Sequence, residues 1–292
     1  MEITGQLKAE LKKMGYAEGK IGDLEKISGK DGVHVYNVQL DGEHYVMKYF
    51  ETKEYTREIS NYKLLMHLKI PVIPLKRSTM DAILLEDMRF NPVFRLGEKE
   101  DLKNPEIGRS VAQWYKMLHE KGRKLGFRLK KGFYRESGLL TIENLRIIKE
   151  KSNTIGNALW DVIEPNLKQI LRLCSRQEQT LNYNDFYWTN LVVSRDYKKA
   201  FMFDYNFLGI GLAYNDIRNV CSSLSDEAAE AFLKEYGEYN IKEKILDDAL
   251  ADLINLISAY QRPVFPSWAM NSLTNLVTGK VEQKIKKMME LI

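Results

Sequence analysis

Cysteine is nearly absent. The 292 residues hold two, Cys174 and Cys221, with no CxxC neighbour. That excludes a disulfide-stapled framework and a cysteine zinc cluster. Reduced thiols and a cytoplasmic location are the expectation. Seven prolines and four histidines are also few, and the chain has no low-complexity tract and no internal repeat. No stretch approaches about 18 uninterrupted apolar residues, so no membrane span is expected. The first 13 residues read as a short amphipathic helix and lack the apolar run of a signal peptide. Neither sign of charge dominates: 44 Lys and Arg stand against 40 Asp and Glu, a net +4. Such a balance calls for neither nucleic acid nor a membrane surface as partner. Oligomeric state is not written in these features.

What is present is the composition of a folded chain, 44% hydrophobic and 29% charged. Its length suits about two domains of ~150 residues. Residues 25–50 carry a β-branched and aromatic run, with Asp41-Gly42 as a hairpin signal. Lys48 is a lone charge inside the apolar strand Tyr45–Phe50. A helix is predicted over 53–68, with Ile59, Tyr62, Leu65 and Met66 on one stripe; Pro71 and Pro74 follow it. Strands are predicted at 75–79 and 81–86. After Met88 the pattern turns to helices at 98–122, 139–151, 155–174, 248–260 and 270–291, interrupted by a β-rich island at 180–211. The class is α+β, a strand-rich portion at 1–88 and a mainly helical one at 89–292.

The island carries the chemistry. Asp185 and Asn190 lie five apart on a loop entering a strand, and the apolar strand Ala200–Phe203 ends in Asp204. An Asp, an Asn and a second Asp from adjacent hairpin arms are what phosphoryl transfer from a nucleotide needs. One Asp orients and deprotonates the acceptor, while Asn and Asp oxygens hold magnesium. In isolation, Asp and Asn are also common turn formers. Lys48 weighs toward chemistry, because an unpaired ammonium inside a sheet is costly. Glu58, ten residues on, is a partner for it.

These five residues occur in the order and approximate spacing of the protein-kinase-like fold. More narrowly, the chain resembles the aminoglycoside phosphotransferase and choline kinase superfamily of small-molecule kinases. The family loop usually reads His-Gly-Asp-x4-Asn or His-Asn-Asp-x4-Asn; here it is Tyr183-Asn184-Asp185-x4-Asn190. Leu118-His119, the segment 82–88 and the run from Gly211 to Asp216 resemble further family segments, Asp216 being the buried structural aspartate. The resemblance covers roughly residues 24–225 and departs at Tyr183 and at Tyr205-Asn206, where Phe-Gly is common.

The resemblance implies a two-lobed fold, a small antiparallel sheet with one helix followed by a larger helical lobe bearing the catalytic loop and acceptor site. It implies ATP, with GTP as an alternative donor, and Mg2+. Asp185 would be the catalytic base, and Asn190 and Asp204 the metal ligands. Lys48 would meet the phosphates with Glu58 as its partner. Gly29 and Gly32 would sit in the phosphate-covering loop, and the Glu86 and Met88 main chain would face adenine. The acceptor would be a small hydroxyl compound: choline-like, a sugar or aminoglycoside-like. A sequence pI of about 8.7 weighs against a polycationic aminoglycoside. Phe186, Tyr187 and Trp188 in the loop, and Tyr260, Phe265 and Trp268 later, offer aromatic walls for choline-like cations or sugars. Arg262 would equally suit an anion. A second reading, a catalytically inactive nucleotide-binding or partner-binding module, rests on Tyr183. Only eleven residues separate Asp204 from Asp216, which leaves little room for a regulated activation segment and argues against a protein substrate.

Overall fold

Two tight turns organise the first sheet. Asp31-Gly32 (φ 54° and 77°) and Asp41-Gly42 (φ 52° and 83°) place both central residues in the left-handed region. That is the turn whose twist matches paired strands. They join β1 (Ile21–Lys30), β2 (Val33–Leu40) and β3 (Glu43–Phe50). The computed structural model describes residues 3–126 and 132–291. Two short strands, β4 (Leu75–Ser78) and β5 (Ala82–Glu86), complete an antiparallel sheet in the order β1-β2-β3-β5-β4. The expected N-terminal helix is α1 (Ile3–Lys13); Met1 and Glu2 lie outside the described residues. It buries Leu7 and Leu11 completely among Met47, Ala82 and Leu84 of the sheet. Each such leucine contributes about 1.5–3 kcal/mol.

Between β3 and β4 lies α2 (Arg57–His67). Ile59, Tyr62 and Leu65 are buried as the stripe predicts, but Met66 is 44% exposed. It stands next to Leu65 and turns 100° away from the buried line. The predicted helix at 98–122 divides in two. A 3-10 turn at Lys99–Lys103 precedes α3 (Pro105–Leu125), because Pro105 disfavours helical geometry at Asn104 and suits a first helical position.

Beyond β6 (Phe94–Leu96) and α3 come α4 (Ile142–Lys151), α5 (Leu159–Arg176), β7 (Thr180–Asn182), β8 (Leu191–Ser194), β9 (Ala200–Met202) and β10 (Gly209–Gly211). The chain ends in α6 (Ala213–Ser223), α7 (Asp226–Tyr236), α8 (Ile241–Tyr260), α9 (Met270–Val277) and α10 (Lys280–Met289). The long final helix expected at 270–291 is broken by Gly279, whose φ of 78° no continuous helix permits.

Contacts divide the chain into two compact units. One comprises 1–117, 185–208 and 220–236; the other comprises 118–184, 209–219 and 237–292. This division differs from the boundary at residue 88 suggested by composition, because strand pairing and helix packing join segments far apart in sequence. The first unit holds the five-stranded sheet and the sheet β6-β8-β9; the second holds β7 paired with β10 and a core drawn largely from α4, α5, α8 and α10. Among the described residues, no helix is long and apolar enough to cross a membrane.

Candidate active site

Lys48, Glu58, Asp185, Asn190 and Asp204 all fall in the first unit. Strand pairing sets Lys48 in the middle of the sheet, between Val35 on β2 and Ile83 on β5. It is only 8% exposed. The first turn of α2 brings Glu58, 1% exposed, to meet it. Lys48 Nζ lies 2.6 Å from Glu58 Oε2 and 3.0 Å from Asp204 Oδ1. The ion pair expected of Lys48 and Glu58 is therefore present, and the carboxylate at the end of β9 joins it.

Asp204 itself sits in left-handed backbone at φ 62°, a conformation that short polar side chains tolerate better than others. The β8–β9 hairpin explains how it comes to lie beside the Asp185 loop. Leu191 pairs with Met202, and Phe203 N–H donates to the Asn190 carbonyl at 3.0 Å. Asn190 Nδ2 donates to Asp185 Oδ2 at 2.8 Å and to the Asp185 carbonyl at 3.1 Å. The amide nitrogen thus locks Asp185, leaving the amide oxygen as the end suited to a hard cation. Gly97 packs against this loop: a Cβ there would stand 2.6 Å from the Trp188 carbonyl.

One residue of the cluster escaped sequence reasoning. Asn206 Nδ2 donates to Glu58 Oε2 at 3.0 Å and to Asp204 Oδ1 at 3.1 Å, the same two oxygens that Lys48 holds. Its only signal was the departure from Phe-Gly after Asp204. Tyr205 adds to the support: its N–H donates to Glu58 Oε1 at 3.4 Å, its hydroxyl donates to the Met202 carbonyl, and its carbonyl accepts from Asn61 at 2.8 Å.

Two carboxylates thus face one ammonium in a buried place. The ammonium responds to its two anionic neighbours, which outweigh burial and hold the Lys48 pKa above its ordinary value. For Glu58, burial and the nearby Asp204 outweigh Lys48 and push the carboxyl up to about 7. The unfolded chain loses this proton near 4.5, so between pH 4.5 and 7 the folded state binds more protons. Stability of the metal-free protein therefore falls as pH rises across that window. Glu58→Gln is expected to flatten the slope, measured as Tm at pH 5, 6 and 7 in EDTA. An unchanged slope would show that Glu58 is ionised throughout.

In the second unit, Asp216 organises the segment leading into Asp185. It is wholly buried. Its oxygens accept from Tyr183 N–H (2.9 Å), Asn184 N–H (2.9 Å) and His119 Nε2 (3.0 Å). Tyr183 is also wholly buried. Asn184 has a φ of 64°. Glycine and asparagine are the residues that enter that backbone region most readily.

The remaining expected residues have the following neighbours. Gly29 lies in β1, paired with His34, and Gly32 in the β1–β2 turn; their nearest side chains are Lys26, His34 and Thr52. Gly32 has a structural reason: a Cβ would lie 2.1 Å from Thr52 Oγ1. Glu86 ends β5, three residues along from the Lys48 partner Ile83. Its N–H donates to the Pro74 carbonyl at 3.1 Å, and the Met88 carbonyl accepts from Asn91 N–H at 3.3 Å. Of the loop aromatics, Phe186 is core, edge-on to Tyr115 at 6.3 Å, while Tyr187 is 47% exposed. Tyr260 and Phe265 pair with each other at 5.0 Å, and Arg262 lies over Trp268.

No protein-family model and no curated protein matches the sequence. Solved structures match the fold over nearly its full length. A choline kinase from Streptococcus pneumoniae aligns with TM-score 0.61 and 14% identity, over 93% of this chain and 98% of its own. The chain has a choline-kinase-like fold. A Plasmodium vivax ethanolamine kinase shares this choline-kinase-like fold at TM-score 0.56 and 16% identity, over 91% of this chain and 85% of its own. A spectinomycin phosphotransferase in complex with ADP and spectinomycin does so at 0.55 and 14%, over 92% and 91%.

Proposed function

We propose that this chain transfers the γ-phosphoryl group of ATP, or of GTP, to a hydroxyl of a small molecule. The observation that carries the reading is the joining of Lys48, Glu58 and Asp204 within 3.0 Å, with the Asn190–Asp185 pair tied to the same hairpin. Neighbours of this fold named for choline, ethanolamine and spectinomycin support a small hydroxyl-bearing acceptor.

Lys48, held by Glu58, meets the nucleotide phosphates. The Glu86 carbonyl and Met88 N–H are an acceptor and a donor complementary to the adenine edge. Gly29, near the end of β1, and Gly32, in the β1–β2 turn, cover the phosphates. Asn190 and Asp204 supply oxygen donors, the ligand type Mg2+ takes alongside phosphate and water; the ion, when bound, neutralises charge on the phosphates. Asp185 orients the acceptor hydroxyl and takes its proton as the new oxygen–phosphorus bond forms and the bond to the nucleoside diphosphate breaks. Residues 1–88 act as the nucleotide lobe and 89–292 as the lobe of the catalytic loop. We place the protein in the cytoplasm, where such donors are found and where the free thiols of Cys174 and Cys221 stay reduced. Tyr183, the feature favouring an inactive module, keeps its N–H on Asp216, which supports a held loop.

Thermal unfolding with nucleotide tests this. ATP or GTP at about 100 times its dissociation constant is expected to raise Tm by roughly 5 °C, and only with magnesium. No rise with either nucleotide at millimolar concentration would favour the inactive module.

A further inference from the structure

We propose that the cavity inside the second unit binds a small molecule through a primary or secondary ammonium group, selected by Asp247 and Glu136. Its role as acceptor site rests on the phosphotransferase reading above; the ammonium selectivity does not.

The cavity has a volume of about 370 Å³, room for a molecule of monosaccharide size. Much of its wall is apolar, from Leu171 on α5 and Leu246, Leu250 and Ile254 on α8. Into this wall are set two carboxylates, Glu136 and Asp247. One guanidinium serves both: Arg218 Nε donates to Asp247 Oδ2 at 2.6 Å, and its terminal nitrogen lies 3.5 Å from Glu136 Oε2. Asn215 Nδ2 donates to the same Glu136 oxygen at 2.6 Å. Two negative charges therefore share one positive charge in a buried place. Asp247 is 3% exposed, and its Oδ1 has no hydrogen-bond partner among the described residues.

An unpaired carboxylate oxygen under cover is costly, and a ligand that donates to it removes the cost. A hydroxyl donates without charge. An ammonium donates and also balances the second carboxylate. The other charges nearby do not do so. Arg135 is in the wall but exposed, so water screens it. Lys244 and Asp248, on α8 beside Asp247, pair with each other at 2.5 Å. A quaternary ammonium has no N–H for Oδ1, and among the described residues no aromatic side chain lines the cavity to offer it a π face. The aromatic wall expected from the loop and late aromatics is thus not the wall of this cavity. Asn184 lines it and is bonded to Asp185, so the two Cα atoms lie about 3.8 Å apart. A ligand seated here lies against the residue that precedes the proposed base.

Calorimetric binding to the full chain without nucleotide tests the selectivity with matched compounds. The probes are 2-aminoethanol against choline and ethylene glycol, and glucosamine against glucose. A primary amine is expected to bind at least tenfold more tightly than its hydroxyl or trimethyl counterpart, and Asp247→Asn, checked for folding by circular dichroism, to remove that preference. The comparison among ligands on the unaltered chain stands even if the variant fails to fold. Equal binding of amine and hydroxyl, preference for the quaternary compound, or binding of none overturns the proposal, as does a folded Asp247→Asn that keeps the preference. Adding ATP and magnesium separates the two readings. An amine that binds but releases no ADP leaves the ammonium site and removes its acceptor role; ADP release with an uncharged alcohol alone overturns the ammonium site and leaves the phosphotransferase.

Discussion

On the proposed phosphotransferase reading, Asp185→Asn is expected to lower turnover by about 10²–10⁴-fold and to leave the nucleotide dissociation constant within a few-fold of the unaltered protein. The substitution keeps the size of the side chain and an oxygen to accept from Asn190, which now donates to Asp185 Oδ2 at 2.8 Å. It removes the basic carboxylate and nothing that holds phosphate, since Lys48, Glu58 and Asp204 form a separate group. The rate loss should therefore appear in kcat, with nucleotide binding spared. Single-turnover ADP release and a nucleotide titration on the same preparation check both halves. Turnover within tenfold of the unaltered protein would remove Asp185 from the role of base.

Asp216→Ala lowers stability by about 3–5 kcal/mol, a fall in Tm of roughly 6–10 °C. The wholly buried carboxylate accepts two backbone N–H groups and His119 Nε2, and Asn182 Nδ2 stands 3.4 Å away. Alanine leaves these donors without their acceptor and without water. Because two of the donors are the main chain of Tyr183 and Asn184, loosening the loop that leads to Asp185 follows from the same loss. Urea unfolding measures it; a change below 1 kcal/mol would show that the loop finds other partners.

Features held by neighbours in sequence were legible. Asp41-Gly42 signals its own turn, and the alternation around it specifies β2 and β3. Lys48 announced a partner by being a charge in an apolar strand, and Glu58 lies ten residues on, in the first turn of the next helix. Asp185, Asn190 and Asp204 were readable as a spaced set, although the contact of Asp204 with Lys48 needed the fold. What stayed hidden depends on distance along the chain. Asn206 reaches Glu58 across 148 residues, and nothing local marks it. The Glu136–Arg218–Asp247 group draws on three separate segments, each unremarkable alone. The break at Gly279 was overlooked for another reason: the apolar spacing of α9 and α10 runs on across it, while the glycine costs the pattern nothing. Phe186 looked like its neighbours Tyr187 and Trp188, and only packing against Tyr115 separates core from surface.

Lys48 and Asn206 grip the same pair of oxygens, one with a charge and one without. The cluster is therefore doubly tethered, its shape insured independently of its field. Drift at either tether leaves the other to keep α2 and the end of β9 in register, so sequence change here is buffered in form before it is buffered in activity. A chain can then lose the ammonium and still fold around the place where that charge belonged.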